Sequence, residues 1–137
     1  MPTRVGYSYV VLRVVPRVER DEFLNAGVVL FCREQRYLDA RVGLDEARLR
    51  ALDAHCDVPM VRAQLSLVAE VIRGRDAFGE MRPVERFRWL AADRSTVIQT
   101  SPVHTGLCEN AQATLDRLYE QLVRTGHRDA PPGTCDR

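Results

Sequence analysis

Apolar and polar residues alternate with a period of two along much of residues 7–42, and the pattern then lengthens to a helical one. From Tyr7 to Val15, Val10, Leu12 and Val14 fall on one side, and Tyr7, Tyr9, Val11, Arg13 and Val15 on the other. That alternation predicts a strand, and two largely apolar sides predict one that lies inside a sheet with material packed on each face. Pro16 ends it, because proline lacks the ladder donor. A second strand is predicted from Glu22 to Cys32, with Leu24, Ala26, Val28 and Leu30 on one face. Phe23, Asn25, Gly27, Val29 and Phe31 share the other. A third runs from Tyr37 to Val42, and the polar turn Arg33-Glu34-Gln35-Arg36 predicts a hairpin between the two.

Beyond residue 44 the spacing becomes helical. Asp45 to Asp53 predicts a short amphipathic helix around Leu49 and Leu52. Asp57-Val58-Pro59 is a helix start, with an acidic cap and proline in the first turn. Val61, Leu65, Val68 and Ile72 then form one stripe, and Gly74 supplies the stop. Residues 75–84 read as a loop, and Phe87–Leu90 and Thr96–Thr100 as short strands. Asn110 predicts the cap of a last helix carrying Ala111, Leu115, Leu118 and Leu122 on one face, with Gly126 as its stop. The expected fold is α+β: an antiparallel sheet of about five strands with two long helices and one short helix packed on it. Residues 1–127 are expected to form a single domain, and 128–137, with Pro131-Pro132-Gly133, a disordered tail.

Composition narrows the function classes. With 45% apolar and 28% charged residues the chain falls among globular proteins rather than disordered ones. A net charge of +1 gives no global field toward nucleic acid or acidic membranes. All 20 basic residues are Arg, which a GC-rich coding bias accounts for without any functional pressure. The N-terminus lacks a signal-peptide pattern and no apolar run is long enough to span a bilayer, so a cytoplasmic location is expected. Cys32, Cys56, Cys108 and Cys135 are scattered with no C-x-x-C pair, which argues against a zinc ribbon or thioredoxin-like site. Reduced thiols are expected, and no metal or cofactor is implied.

The candidate chemistry is sparse. Asn25 and Gly27 interrupt an apolar run on what reads as one strand face. One reading is a small concavity, with Gly27 making room and Asn25 supplying hydrogen bonds. The other, which takes precedence, is a β-bulge in which Asn25 ties down a neighbouring connection. Glu22, at the mouth of the same strand, is a carboxylate suited to pairing with a nearby Arg. The densest polar stretch runs from Arg94 to Gly106 and holds Gln99, Ser101 and His104. A loop leading to a helix N-terminus is a natural anion site, although local backbone satisfaction by the hydroxyls explains the stretch equally well. Arg86 and Arg88 alternate with Phe87 and Trp89, but no RNA-binding signature accompanies them, which argues against nucleic-acid binding. No P-loop, G-x-G-x-x-G, H-E-x-x-H or kinase signature occurs.

The chain resembles the bacterial family known as domain of unknown function 3037. The resemblance rests on Tyr7-Ser8-Tyr9-Val10-Val11-Leu12-Arg13 and on Glu22-Phe23-Leu24-Asn25-Ala26-Gly27-Val28-Val29-Leu30-Phe31. Arg86-Phe87 and Ser101-Pro102-Val103-His104-Thr105-Gly106 support it. It implies no catalytic residues. It does imply an accessory role, because such proteins are often encoded near a HipA-like kinase-fold protein. The leading expectation is therefore a non-catalytic partner-binding domain that uses the polar strand–loop region as its contact surface. The alternative is an enzyme or ligand-binding domain for a small anionic or phosphorylated molecule. In that case Arg94, Ser101 and His104 would lie near the site, with Asn25 or Glu22 opposite.

Overall fold

Five strands make one antiparallel sheet in the computed structural model, which describes residues 3–92 and 96–124. The strands are β1 (Val5–Val14), β2 (Leu24–Cys32), β3 (Tyr37–Val42), β4 (Ile98–Thr100) and β5 (His104–Cys108). Their order is β3-β2-β1, with β4 and β5 lying end to end along the remaining edge of β1. The helices are α1 (Glu46–Leu52), α2 (Val58–Arg73), α3 (Pro83–Ala91) and α4 (Ala111–Leu122).

Local sequence explains three of the helices. Asp45 accepts from the Arg48 amide at 3.1 Å, Asp57 from Met60 at 3.0 Å and Asn110 from Ala113 at 2.8 Å. Each carboxylate or amide oxygen satisfies a backbone donor that the first helical turn leaves orphaned. Gly74 closes α2 in the left-handed conformation at φ 69°, where a side chain is disfavoured. The β2–β3 turn closes with Arg36 donating its amide to the Arg33 carbonyl at 3.0 Å.

Two elements differ from the sequence expectation. Phe87–Leu90 is not a strand but part of α3, so four helices pack on the sheet rather than three. Pro83 in the first turn and Glu85, which accepts from the Arg82 amide at 2.8 Å, start that helix. Phe87 and Leu90, three apart, are buried, whereas Trp89 is turned outward. The fifth strand comes instead from His104–Cys108, which reads as loop in sequence and becomes a strand by pairing with Val5–Tyr9. The Gly126 stop and the tail lie outside the described residues.

The core has two sides. Val10, Leu12, Val14, Leu24, Ala26 and Val29 pack under α1, α2 and α3. On the other side Val28, Leu30, Cys32 and Cys108 pack under α4. That β2 supplies Leu24 and Ala26 to one side and Val28 and Leu30 to the other requires a change of phase. The register contains it: Leu12 faces Gly27 and Arg13 faces Asn25, so Ala26 is an extra residue on β2. A bulge of this kind inverts the alternation beyond it.

The phase inversion separates Asn25 from Gly27. Gly27 points into the helix-covered side, where a Cβ would sit 2.9 Å from both the Arg41 carbonyl oxygen and Leu12 Cδ1. It is a glycine because backbone and side chain already fill the space, not because a cavity is held open. No helix is long and apolar enough to cross a membrane among the described residues.

Candidate functional site

The helix α4 covers β2 and β3 on its side of the sheet, while the edge of its cluster reaches only Cys108 of β5 and the half-buried Val5, Tyr7 and Tyr9 of β1. Along β1 the strip beside it carries Tyr7, Tyr9 and Arg13 half-buried at alternate positions, with Val11 between them buried. Tyr7 and Tyr9 stack at 6.1 Å, and Tyr9 stacks on His104 at 5.1 Å, its register partner on β5. The Tyr7 ring also lies on Gly106, where a Cβ would come within 2.6–2.9 Å of it. Gly106 is therefore needed for the aromatic row to lie flat.

At the other end of the strip Arg13 pairs in register with Asn25 on β2 and with Gln99 on β4. The sheet thus sets a guanidinium between two carboxamides. Both amides are oriented from behind: Asn25 Nδ2 donates to the Leu122 carbonyl at the end of α4 (2.9 Å), and Gln99 Nε2 donates to the Thr96 carbonyl (2.9 Å). Arg13 itself lies over the Phe23 ring, 4.3 Å from its centroid. Its Nε is buried and makes no hydrogen bond among the described residues. A buried donor without an acceptor costs about 1–3 kcal/mol, so this arrangement opposes folding unless something supplies the acceptor.

Ser101 sits between the two ends and is structural. Its Oγ accepts from the Val11 amide at 2.9 Å and donates to the Pro102 carbonyl at 2.9 Å, while its own amide donates to the Val11 carbonyl. The residue is 3% exposed. Its proton is engaged with a carbonyl, and no base adjoins it, so nucleophilic chemistry has no support here. The hydroxyl bridges the break between β4 and β5, where a regular strand would use a backbone carbonyl.

Glu22 lies before β2 and forms a two-pronged pair with Arg20, at 2.8 and 3.2 Å. The hydrogen bonds from Arg20 hold its carboxyl below the usual carboxylate range, which makes it a weaker base rather than a better one. Arg94 lies outside the described residues. The structure therefore brings Asn25, Gln99, Ser101 and His104 to one strip of the sheet, places Gly27 on the opposite face and leaves Glu22 apart. Sequence reading missed Arg13 as a site residue, although it is the one charged residue in the apolar run from Tyr7 to Val15.

Four grooves lie away from this strip. One of about 360 Å³ runs between β3 and α2, lined by residues such as Val42, Leu65, Ile72 and Arg73. Others lie beside Trp89, beside Arg4 and Arg117, and beside Tyr119; none of these four includes Asn25, Gln99, Ser101 or His104. Of the central arginines, Arg86 donates from Nη1 to the Met81 carbonyl at 2.9 Å and to the Phe78 carbonyl at 3.4 Å. It staples the preceding turn to α3 and is committed to that role. Among the described residues no cluster of three or more His, Cys, Asp or Glu is placed to hold a metal ion.

No curated protein and no solved structure matches the chain. One family does, described as "Protein of unknown function (DUF3037)", and its match runs over residues 9–123, from the aromatic row on β1 to the end of α4. The chain belongs to that family.

Proposed function

We propose that this chain is a non-catalytic partner-binding domain, and that its contact surface is the strip of sheet left open beside α4. The observation that supports this best is the strip's composition. It presents Tyr9, stacked on His104, at one end and Arg13 over the 42%-exposed Phe23 at the other. Aromatic residues and Arg are the types that dominate binding energy at protein interfaces. The surface is open rather than enclosed, which suits a protein surface better than a small molecule. Ser101, Asn25 and Gln99 are hydrogen-bonded to backbone groups, and among the described residues no nucleophile is paired with a base along the strip. The kinase-fold partner suggested by gene neighbourhood is the proposed occupant.

The test is co-purification of the full chain with a HipA-like kinase-fold protein encoded beside it. A complex that survives Leu67→Ser on α2 and is lost with Tyr9→Ala plus His104→Ala supports the open strip as the interface. Loss with Leu67→Ser instead would move the interface to the helical side. Failure of the wild-type chain to form any complex would remove the reading.

A further inference from the structure

Three arginines are half-buried among the described residues, Arg13, Arg41 and Arg86, and their surroundings differ in one respect. Arg41 lies over the Tyr119 ring at 4.2 Å, and its Nη1 pairs with Asp116 at 3.2 Å and with Glu120 at 3.9 Å. Arg86 also has a buried Nε with no acceptor, but its Nη1 is held by two backbone carbonyls. Arg13 lies over the Phe23 ring at nearly the same height as Arg41 over Tyr119 (4.3 against 4.2 Å), yet among the described residues its guanidinium meets no carboxylate and no carbonyl. The Arg41 site is the same arrangement with its anion in place.

We infer that Arg13 is the receptor for a single carboxylate of the partner, an Asp or Glu side chain or a chain terminus, seated between Asn25 and Gln99 on the open strip. This rests on the partner-binding reading and adds the chemistry of the contact. A carboxylate is favoured over a phosphate on charge and shape. Among the described residues Arg13 is the one arginine on the strip, and a guanidinium fork matches a carboxylate with two parallel hydrogen bonds. Each flanking amide spends one N–H on the Leu122 or Thr96 carbonyl, which leaves at most one N–H apiece beside a bound anion. The aromatic ring beneath fixes the plane of the guanidinium before the ligand arrives, which lowers the ordering cost of binding.

Two measurements on the full chain separate this inference from the reading it rests on. The first follows the Arg13 Nε–H resonance of ¹⁵N-labelled protein, assigned by its loss in Arg13→Lys, during titration with acetate and separately with inorganic phosphate. A saturable shift with acetate, at lower concentration than with phosphate, is expected. No shift with acetate, or tighter response to phosphate, overturns the carboxylate assignment. The second measures affinity for the HipA-like kinase-fold protein. Both Arg13→Gln and Arg13→Lys should weaken it at least about tenfold, because lysine keeps the charge but not the fork. If the complex forms and Arg13→Gln binds as wild type does, the partner reading stands and the inference falls. If no complex forms but acetate shifts Arg13, the partner reading falls and the carboxylate site stands. The wild-type titration needs no variant to fold, and thermal unfolding of Arg13→Gln checks that a lost complex is not a lost fold.

Discussion

One side of this sheet is sealed and the other is half open, and the same strand, β1, serves both. Beneath α1, α2 and α3, Val10, Leu12 and Val14 are almost wholly removed from water. On the opposite side Tyr7, Tyr9 and Arg13 are only half-buried, because α4 lies over β2 and β3 rather than over β1. The sealed side adds Val10, Leu12 and Val14 to the core, while the core under α4 is built on β2 and α4. The open side carries a buried donor without an acceptor and a row of stacked aromatic rings. One face of the strand is thus packed for stability, while the other is left for the partner contact proposed above, a division that a period-two chain permits and a helix permits less cleanly.

The largest expected effect lies on the sealed side. Leu12→Ala should cost about 2–5 kcal/mol, from lost burial plus the cavity left among α2 and α3. His104→Ala on the open side should change stability by less than about 0.5 kcal/mol. Urea midpoints of the two variants measure this, and equal costs would erase the distinction between faces.

A finer test uses the arginines. Arg86→Met removes hydrogen bonds from a charged donor to two carbonyls but also relieves its own orphaned Nε, so it should cost about 1 kcal/mol. Arg13→Met removes a cation–ring contact but also relieves the orphaned Nε, so stability should hold or rise by about 1 kcal/mol. A large loss on Arg13→Met would show that Arg13 is a structural residue and not one retained for binding.

The smallest effect concerns the half that α4 does cover. Burial, followed by the charge of Asp39, pushes the Tyr37 hydroxyl up from 10.0 to about 12. Since the folded value is raised, the neutral phenol is favoured by folding. That contribution is intact below about pH 10 and is lost as the pH rises toward 12. Absorbance at the tyrosinate band should show a late step that is absent in Tyr37→Phe and after unfolding in urea. Absence of that step from the folded protein would mean that α4 does not shield β3.

How much of this was legible beforehand depended on how local the cause was. Asp45, Asp57, Asn110 and Gly74 each act on residues within a turn, so α1, α2 and α4 could be read from sequence. For α3 the start signal Pro83 with Glu85 was present, but alternating Arg86, Phe87, Arg88 and Trp89 imitated a strand. His-Thr-Gly-Leu-Cys has little strand character of its own; it takes that form because β1, a hundred residues earlier in the chain, has a free edge.

The candidate site divides the same way. Sequence marked Asn25 within a strand and Gln99, Ser101 and His104 in a polar stretch running from a strand into a loop, and by itself it determined the fold class, three helices and the β2–β3 hairpin. Only the tertiary structure decided that the extra residue at Ala26 turns Gly27 inward and leaves Asn25 beside Arg13. Only it decided that Ser101 holds Val11, and that α4 stops short of Arg13. Caps and turns are set by neighbours within a turn, whereas the phase of β2 is set by a partner strand a dozen or more residues away and the β5 pairing and α4 cover by residues about 90–100 positions away. No local pattern encodes those distances.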